Sequence, residues 1–207
     1  MSAGTLAVIG AGGHAKVVIA TARSAGFDVV ALYDDNTSLH GSRLLGVPVR
    51  GAIADIDPAV SGVFVLAIGD NATRYKLADR LSSLSWATIV HQQAIVHESV
   101  HLSPGSVVFA GAVIQPDSEI GAHVIVNTGV TIDHDCHIGD FVHLAPGTRL
   151  AGGCRVGEGA FIGIGSCVIP GKSIGDWSMI GAGAAVTSDI GDRVVAFGVP
   201  AKVQRVL

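Results

Sequence analysis

Aromatic residues are scarce, at 5% of 207 residues, which excludes a core built on large packed rings. Charge is sparse too, at 14% against 49% hydrophobic residues, which excludes a disordered polyelectrolyte. Lys plus Arg number 13 and Asp plus Glu 17, a net charge of −4. No bulk positive charge is available to hold a nucleic-acid backbone. Long apolar runs are missing: a typical one, Val29-Val30-Ala31-Leu32-Tyr33, is far too short to cross a bilayer. The opening Met1-Ser2-Ala3-Gly4 has neither the basic nor the apolar region of a signal peptide, so a soluble cytoplasmic protein is expected. The three cysteines, Cys136, Cys154 and Cys167, are odd in number and form no CxxC pair. They support neither a disulfide framework nor a cysteine zinc site.

Glycine, by contrast, is abundant: 28 residues, about twice the usual ~7%. An aliphatic chain with many tight turns points to a repeat architecture.

The first 93 residues read differently from the rest. Thr5 to Ile9 forms a strand, Gly10-Ala11-Gly12-Gly13-His14-Ala15 a glycine turn, and Lys16 to Ala25 a helix. Such a turn lets a diphosphate approach backbone N–H groups at a helix N-terminus. A second strand, Val29 to Tyr33, ends in Asp34-Asp35-Asn36, where a Rossmann unit usually presents an acid to ribose. Val63 to Ile68 reads as a third strand, Gly69-Asp70-Asn71 as a capped turn and Ala72 to Ser83 as a helix. The pattern then stops. Residues 1–93 are therefore expected to form half a Rossmann fold, suited to a nucleotide-linked ligand rather than NAD.

From Val96 to Val186 every sixth residue is aliphatic, sixteen positions without exception. The residue four places later is mostly small, as at Ser106, Ala112, Ser118, Cys136, Thr148, Cys154 and Ala160, with Lys172 breaking the rule. The residue directly after the hexad aliphatic is often glycine, as at Gly121, Gly139, Gly157, Gly163, Gly175 and Gly181. Short strands that turn every six residues close a triangular coil in three sides, and coils stack at the strand spacing of about 4.8 Å. One coil has no core alone, so stacking supplies the stability. Residues 94–207 are expected to form this solenoid and a C-terminal cap, with all three cysteines at the small corner position.

Among the nine histidines, His134 stands apart. It sits at a solenoid corner in Asp133-His134-Asp135, where a neighbouring carboxylate raises imidazole basicity and selects a tautomer. No residue offers an evident nucleophile.

The hexad resembles that of the hexapeptide-repeat acyltransferases, whose solenoid is a left-handed parallel β-helix. The glycine loop, the Asp34-Asp35 pair, Ala67-Ile68-Gly69-Asp70-Asn71, His134-Asp135-Cys136 and Gly198-Val199-Pro200-Ala201-Lys202 occur in that order. That succession resembles the sialic-acid O-acetyltransferase-like branch, which includes N-acetyltransferases of nucleotide-linked 4-amino sugars of the bacillosamine and perosamine type.

The resemblance implies an acetyl-CoA-dependent enzyme acting on the 4-amino group of a UDP- or GDP-linked deoxy sugar. His134 would be the general base, Asp135 its support, and Gly152 an N–H donor to the thioester oxygen. His143, Ile164 and Ala182 would meet acetyl-CoA. Gly12, Gly13, His14, Asp34, Asp35 and Gly69 would bind the nucleotide sugar, with Asn71 and Arg74 as weaker additions. Lys202 and Arg205 read either as coenzyme phosphate contacts or as solvated tail charges. The family varies between Glu and Asp at position 135. A homotrimer with coenzyme between subunits is implied, with no metal, no nucleic-acid partner and no membrane. Products would feed surface polysaccharide or glycan assembly. An O-acetyltransferase of sialic acid or another sugar, and a non-enzymatic nucleotide-sugar sensor, remain open beside it. A zinc site from His134, His137 and His143 is disfavoured by their spacing.

Overall fold

The computed structural model describes residues 4–57 and 62–207. The N-terminal unit is a five-stranded sheet in the order β3-β4-β2-β1-β5. Its elements are β1 (Thr5–Ile9), α1 (Gly13–Ser24), β2 (Asp28–Tyr33), β3 (Arg43–Leu44), β4 (Val47–Gly51), β5 (Val63–Leu66) and α2 (Asn71–Arg80). All pairings are parallel except the β3–β4 hairpin. That hairpin carries no strong alternation and was not expected from the sequence. β1, paired between β2 and β5, is buried from Leu6 to Ile9, as a strand covered on both faces must be.

Helix α1 starts three residues before the expected Lys16, inside the glycine loop. Gly12 is its N-cap, without a side-chain cap. Gly10 turns the chain at φ +107°, and a Cβ there would lie 2.8 Å from Ile68 and 3.0 Å from the Ala67 carbonyl. Glycine is structurally required at that point.

From Ile89 the chain winds into the stacked solenoid expected from the hexad, the left-handed parallel β-helix that the family resemblance implies. Two-residue strands recur every six residues and pair in register with strands 18 residues away, as Ile114 with Ile132 and Ile132 with Leu150. Three faces result. Face I carries Ile95, Val113, Thr131, Arg149, Cys167 and Ala185 outward. Face II carries His101, Glu119, His137, Arg155 and Ser173. Face III carries Val107, Ile125, His143, Phe161 and Met179, then Val194–Phe197 and the antiparallel Lys202–Val206.

The second residue of each strand points inward. From Val108 to Val186 the hexad aliphatics are no more than 3% exposed, while Val96 and Leu102 at the open end are partly buried. Small corner residues have a polar task as well. Ser118 Oγ donates to the Asp133 carbonyl at 2.9 Å and accepts from Cys136 N at 3.2 Å. Buried turn carbonyls need such partners, and Cys136 and Cys154 thiols meet the Ala151 and Ile169 carbonyls at 3.3 Å.

Cys167 corrects the expectation for all three cysteines. It is an exposed outward strand residue on face I, one place before the hexad residue Val168, and Ser166 fills the buried corner.

The N-terminal unit docks on face III and its edge with face II. Six aromatic residues make ring contacts along this seam. Tyr75 packs on Phe141 and Trp177, Trp86 on His123, Phe109 on His14, and Phe161 on His143. His123 stacks on Phe141 at 5.2 Å. Six of the ten aromatic residues thus serve the joint, and the solenoid's hydrophobic core contains none.

Candidate active site

The solenoid corner between faces I and II carries His134, at the turn after Ile132. Asp135 follows it in the left-handed region at φ +59°, as Asp117 does one coil below. Gly153 and Gly171 fill the same place on later coils, at φ +69° and +68°. Asp is among the few side-chain residues that enter this region readily. That conformation folds its carboxylate back, and Oδ2 lies 2.6 Å from His134 Nδ1. The Asp135 bond is the main cause of a raised His134 pKa, with Asp133 adding to it. Nδ1 is thereby the protonated nitrogen of the neutral ring, and Nε2 carries the free lone pair. The side chain is 60% exposed.

Gly152 lies on the next coil directly against this ring. A Cβ there would sit 2.6 Å from both Cε1 and Nε2 of His134. Its φ is not left-handed, so the glycine is explained by room for the imidazole.

A second group gathers in the seam. His14, in the first turn of α1, lies 6.2 Å from His143 ring to ring. His143 Nδ1 donates to the Gly69 carbonyl at 3.1 Å, and Nε2 accepts from Asn127 Nδ2 at 3.2 Å. Thr128 N donates to Asn127 Oδ1 at 2.8 Å, which fixes the amide and with it the tautomer. Both ring nitrogens of His143 are therefore engaged within the chain. Burial pushes His14 and His143 down to about 4, so both are neutral at pH 7.

The glycines of this rim divide by cause. Gly10 is structurally required. Gly12, Gly13 and Gly69 have no left-handed φ, and a Cβ on any of them would meet nothing within 4 Å. Their bareness opens space above the start of α1, whose first turn has no acidic residue. Asp34 holds the loop from below: Oδ2 accepts from Ala11 N at 2.7 Å and Oδ1 from Asn36 N at 2.8 Å. Asp35 accepts from Ile53 N at 2.9 Å. Both carboxylates already have backbone partners.

Two residues weakly connected with the nucleotide in the sequence have another task. Asn71 is buried and donates to the Gly159 and Ala160 carbonyls at 2.9 and 3.0 Å. Arg74 is 1% exposed, with its guanidinium among carbonyls of both units. They pin the joint. No local sequence pattern signals partners 49 to 89 residues away.

Ile164 is 60% exposed, and Ala182 lies above it at the corner between faces III and I. Lys202 and Arg205 are exposed on the last strand. A cavity of about 320 Å³, unanticipated from sequence, opens between the start of α2 and face III, lined by Gly69, Asp70, Phe161, Trp177, Met179 and Leu207. Among the described residues, no three His, Cys, Asp or Glu side chains are grouped to hold a metal, and no helix is long and apolar enough to cross a membrane.

The structure thus brings His14, Gly69 and His143 together, and separately His134, Asp135 and Gly152. The two groups do not meet within one chain: the I–II corner is the one opposite face III, where the N-terminal unit sits.

Residues 5–81 match the family described as the PglD N-terminal domain. The whole chain is similar to perosamine N-acetyltransferase from Caulobacter crescentus, whose His-to-Asn variant was solved with CoA and GDP-perosamine. Identity is 42%, coverage 99% of this chain and 98% of that one, and the TM-score 0.92. The acetyltransferase domain of PglB from Neisseria gonorrhoeae is 36% identical, over 97% of this chain and 99% of that chain, with TM-score 0.90. UDP-N-acetylbacillosamine N-acetyltransferase from Bacillus subtilis is 40% identical over 108 residues, 50% of this chain and 50% of that protein. An uncharacterised protein of Acanthamoeba polyphaga mimivirus is 34% identical over 101 residues, 49% of this chain and 20% of that protein. The chain thus spans half or less of the length of these curated relatives.

A half-Rossmann unit docked on a left-handed β-helix, with a carboxylate-backed histidine at a corner, defines a hexapeptide-repeat acyltransferase. Within that class, the chain belongs to the N-acetyltransferases of nucleotide-linked amino sugars.

Proposed function

We propose that the chain transfers the acetyl group of acetyl-CoA to the 4-amino group of a nucleotide-diphosphate-linked deoxy sugar, with His134 as general base. The observation that carries the chemistry is the short Asp135–His134 contact at an exposed corner. It leaves Nε2 as acceptor, with basicity raised by the carboxylate.

The amine attacks the thioester carbonyl as a free base, and His134 Nε2 takes a proton from the attacking nitrogen. The Gly152 N–H is the proposed donor to the tetrahedral oxyanion. Collapse breaks the C–S bond, and coenzyme A leaves as the thiolate, which the imidazolium protonates. No covalent enzyme intermediate is required.

The nucleotide is proposed to lie over Gly12, Gly13 and His14 beside Gly69, where bare glycines leave backbone N–H groups open. Asp34 and Asp35 hold the loop and present their remaining lone pairs to ribose or base. Ile164 and Ala182 line the proposed coenzyme path. Contact of His143 with the coenzyme falls to its ring edge unless Asn127 gives way.

The opposed placement of the two groups supports a homotrimer. Face I bears one charge, Arg149, among its outward strand residues, and Ile95 there is 67% exposed. Three copies with face I turned to a common axis bring the I–II corner of one copy to the III–I corner of the next. His134 of one copy then meets Ile164, Ala182 and the nucleotide rim of its neighbour. Light scattering tests this, with a particle of three chains expected. A cytoplasmic setting, where acetyl-CoA is made, and a product destined for surface glycans complete the proposal.

The direct test is release of coenzyme A from acetyl-CoA against a panel of UDP-, GDP- and dTDP-linked 4-amino sugars. A base-stable amide product supports the proposal. A base-labile ester points to O-acetylation, and no turnover with tight nucleotide-sugar binding points to a sensor.

A further inference from the structure

We propose that Arg74 is an electrostatic positioning residue for the nucleotide diphosphate. Its buried guanidinium, bound by neutral oxygens and paired with no carboxylate, supplies positive charge behind the Gly12–His14 loop. The inference rests on reading that loop as the nucleotide site.

The guanidinium is surrounded by neutral acceptors. Nε donates to the His123 carbonyl at 2.9 Å. Nη1 donates to the carbonyls of Ile68 at 3.0 Å and Gly69 at 3.3 Å. Nη2 donates to Asn71 Oδ1 at 3.0 Å and to the Phe141 and Val142 carbonyls at 2.5 and 3.4 Å. Among the described residues no ion pair joins Arg74 to an acid. Asp70 is the carboxylate felt at this site, but its Oδ1 caps α2 by accepting from Thr73 N. Burial pushes Arg74 down to about 10, so it stays charged at pH 7.

A buried charge without a counter-ion is costly. Clamping carbonyls alone would be served by neutral donors at lower cost. The charge is felt at the loop: Arg74 contributes to the lowered pKa of both His14 and His143. The Gly69 carbonyl, shared by Arg74 Nη1 and His143 Nδ1, links the guanidinium to the rim. The open start of α1 adds a partial positive charge of its own. A diphosphate bound there would complete the missing half of a charge pair, in surroundings where Coulomb interactions are weakly screened.

The test compares ligand charge with protein charge. Calorimetry on the full chain measures GDP, UDP and dTDP, each against its nucleoside. Arg74→Gln removes the charge. Asn71→Asp places a carboxylate against the same Nη2 and cancels the charge while keeping the guanidinium fork. For the nucleotide that binds, wild type is expected to prefer the diphosphate by about tenfold or more. Each variant that folds, checked by thermal unfolding, should lose most of that ratio, with nucleoside affinity kept within about threefold. An unchanged ratio in a folded variant, or equal weakening of diphosphate and nucleoside, would mark Arg74 as a clamp only and overturn the proposal. A wild type that binds a nucleoside as well as its diphosphate overturns it without any variant. A wild type that binds none of the six compounds defeats the nucleotide reading itself, and this proposal with it.

Discussion

The I–II corner and the seam treat the same residue type in opposite ways. His134 stands in solvent, its Nδ1 against a carboxylate and its pKa raised. His14, His123 and His143 lie in or beside packed rings, and burial holds all three down to about 4. A base needs the first environment, because it must gain and lose a proton during turnover. A joint between two units needs the second, because a buried imidazole that took up a proton would sit against the Arg74 charge. The proposed mechanism uses that difference by place, giving proton transfer to the corner and ligand binding to the seam.

Replacing the corner histidine is the harshest test of that partition. His134→Ala should lower kcat by about 10²–10⁴-fold in the coenzyme A release assay. Nucleotide-sugar affinity should fall far less than kcat, because the proposed nucleotide contacts come from the Gly12–His14 loop and Gly69. A smaller effect isolates the carboxylate: Asp135→Asn should cost about tenfold in kcat and move the acid limb of the pH–rate profile to lower pH. That limb should lie above pH 6.5 in the unaltered chain, since its base has a raised pKa.

The seam should answer pH with the opposite sign. Its histidines titrate near 4 when folded, against about 6.5 when unfolded. Between these values the unfolded chain binds more protons, so stability rises with pH. Denaturant midpoints should be at their plateau above about pH 6.5 and fall steadily towards pH 4. Fluorescence of Trp86 and Trp177, both in the seam, reports the change. The smallest effect is expected at Asp117, which shares the left-handed backbone of Asp135 but follows Pro116 rather than a histidine. Asp117→Gly should leave kcat within about twofold and change stability by no more than about 0.5 kcal/mol.

These contrasts also mark how far the sequence was legible. Period six located the inward positions because each strand buries its second residue whatever the coil. The glycine loop and its flanking strand and helix were visible because turn chemistry is local. Which of the three faces the N-terminal unit covers was not readable, since nothing local in the hexad distinguishes them. Arg74 and Asn71 read in sequence as weaker additions to the nucleotide site, and their part as buried struts was not legible because their partners come from distant coils. Cys167 was misplaced by one residue, which on a strand exchanges inside for outside. The paired engagement of His143 by Asn127 and Gly69 likewise needed the docked units.

In the proposed assembly, the proton-accepting corner and the nucleotide rim of a working site come from different copies. Co-expression of His134→Ala with a loop variant such as Gly13→Glu, whose carboxylate would repel a diphosphate, tests it through coenzyme A release. Mixed assemblies are expected to regain turnover that neither variant has alone, because an intact corner meets an intact rim at some of their sites. Mixed assemblies as inactive as the separate variants would contradict it.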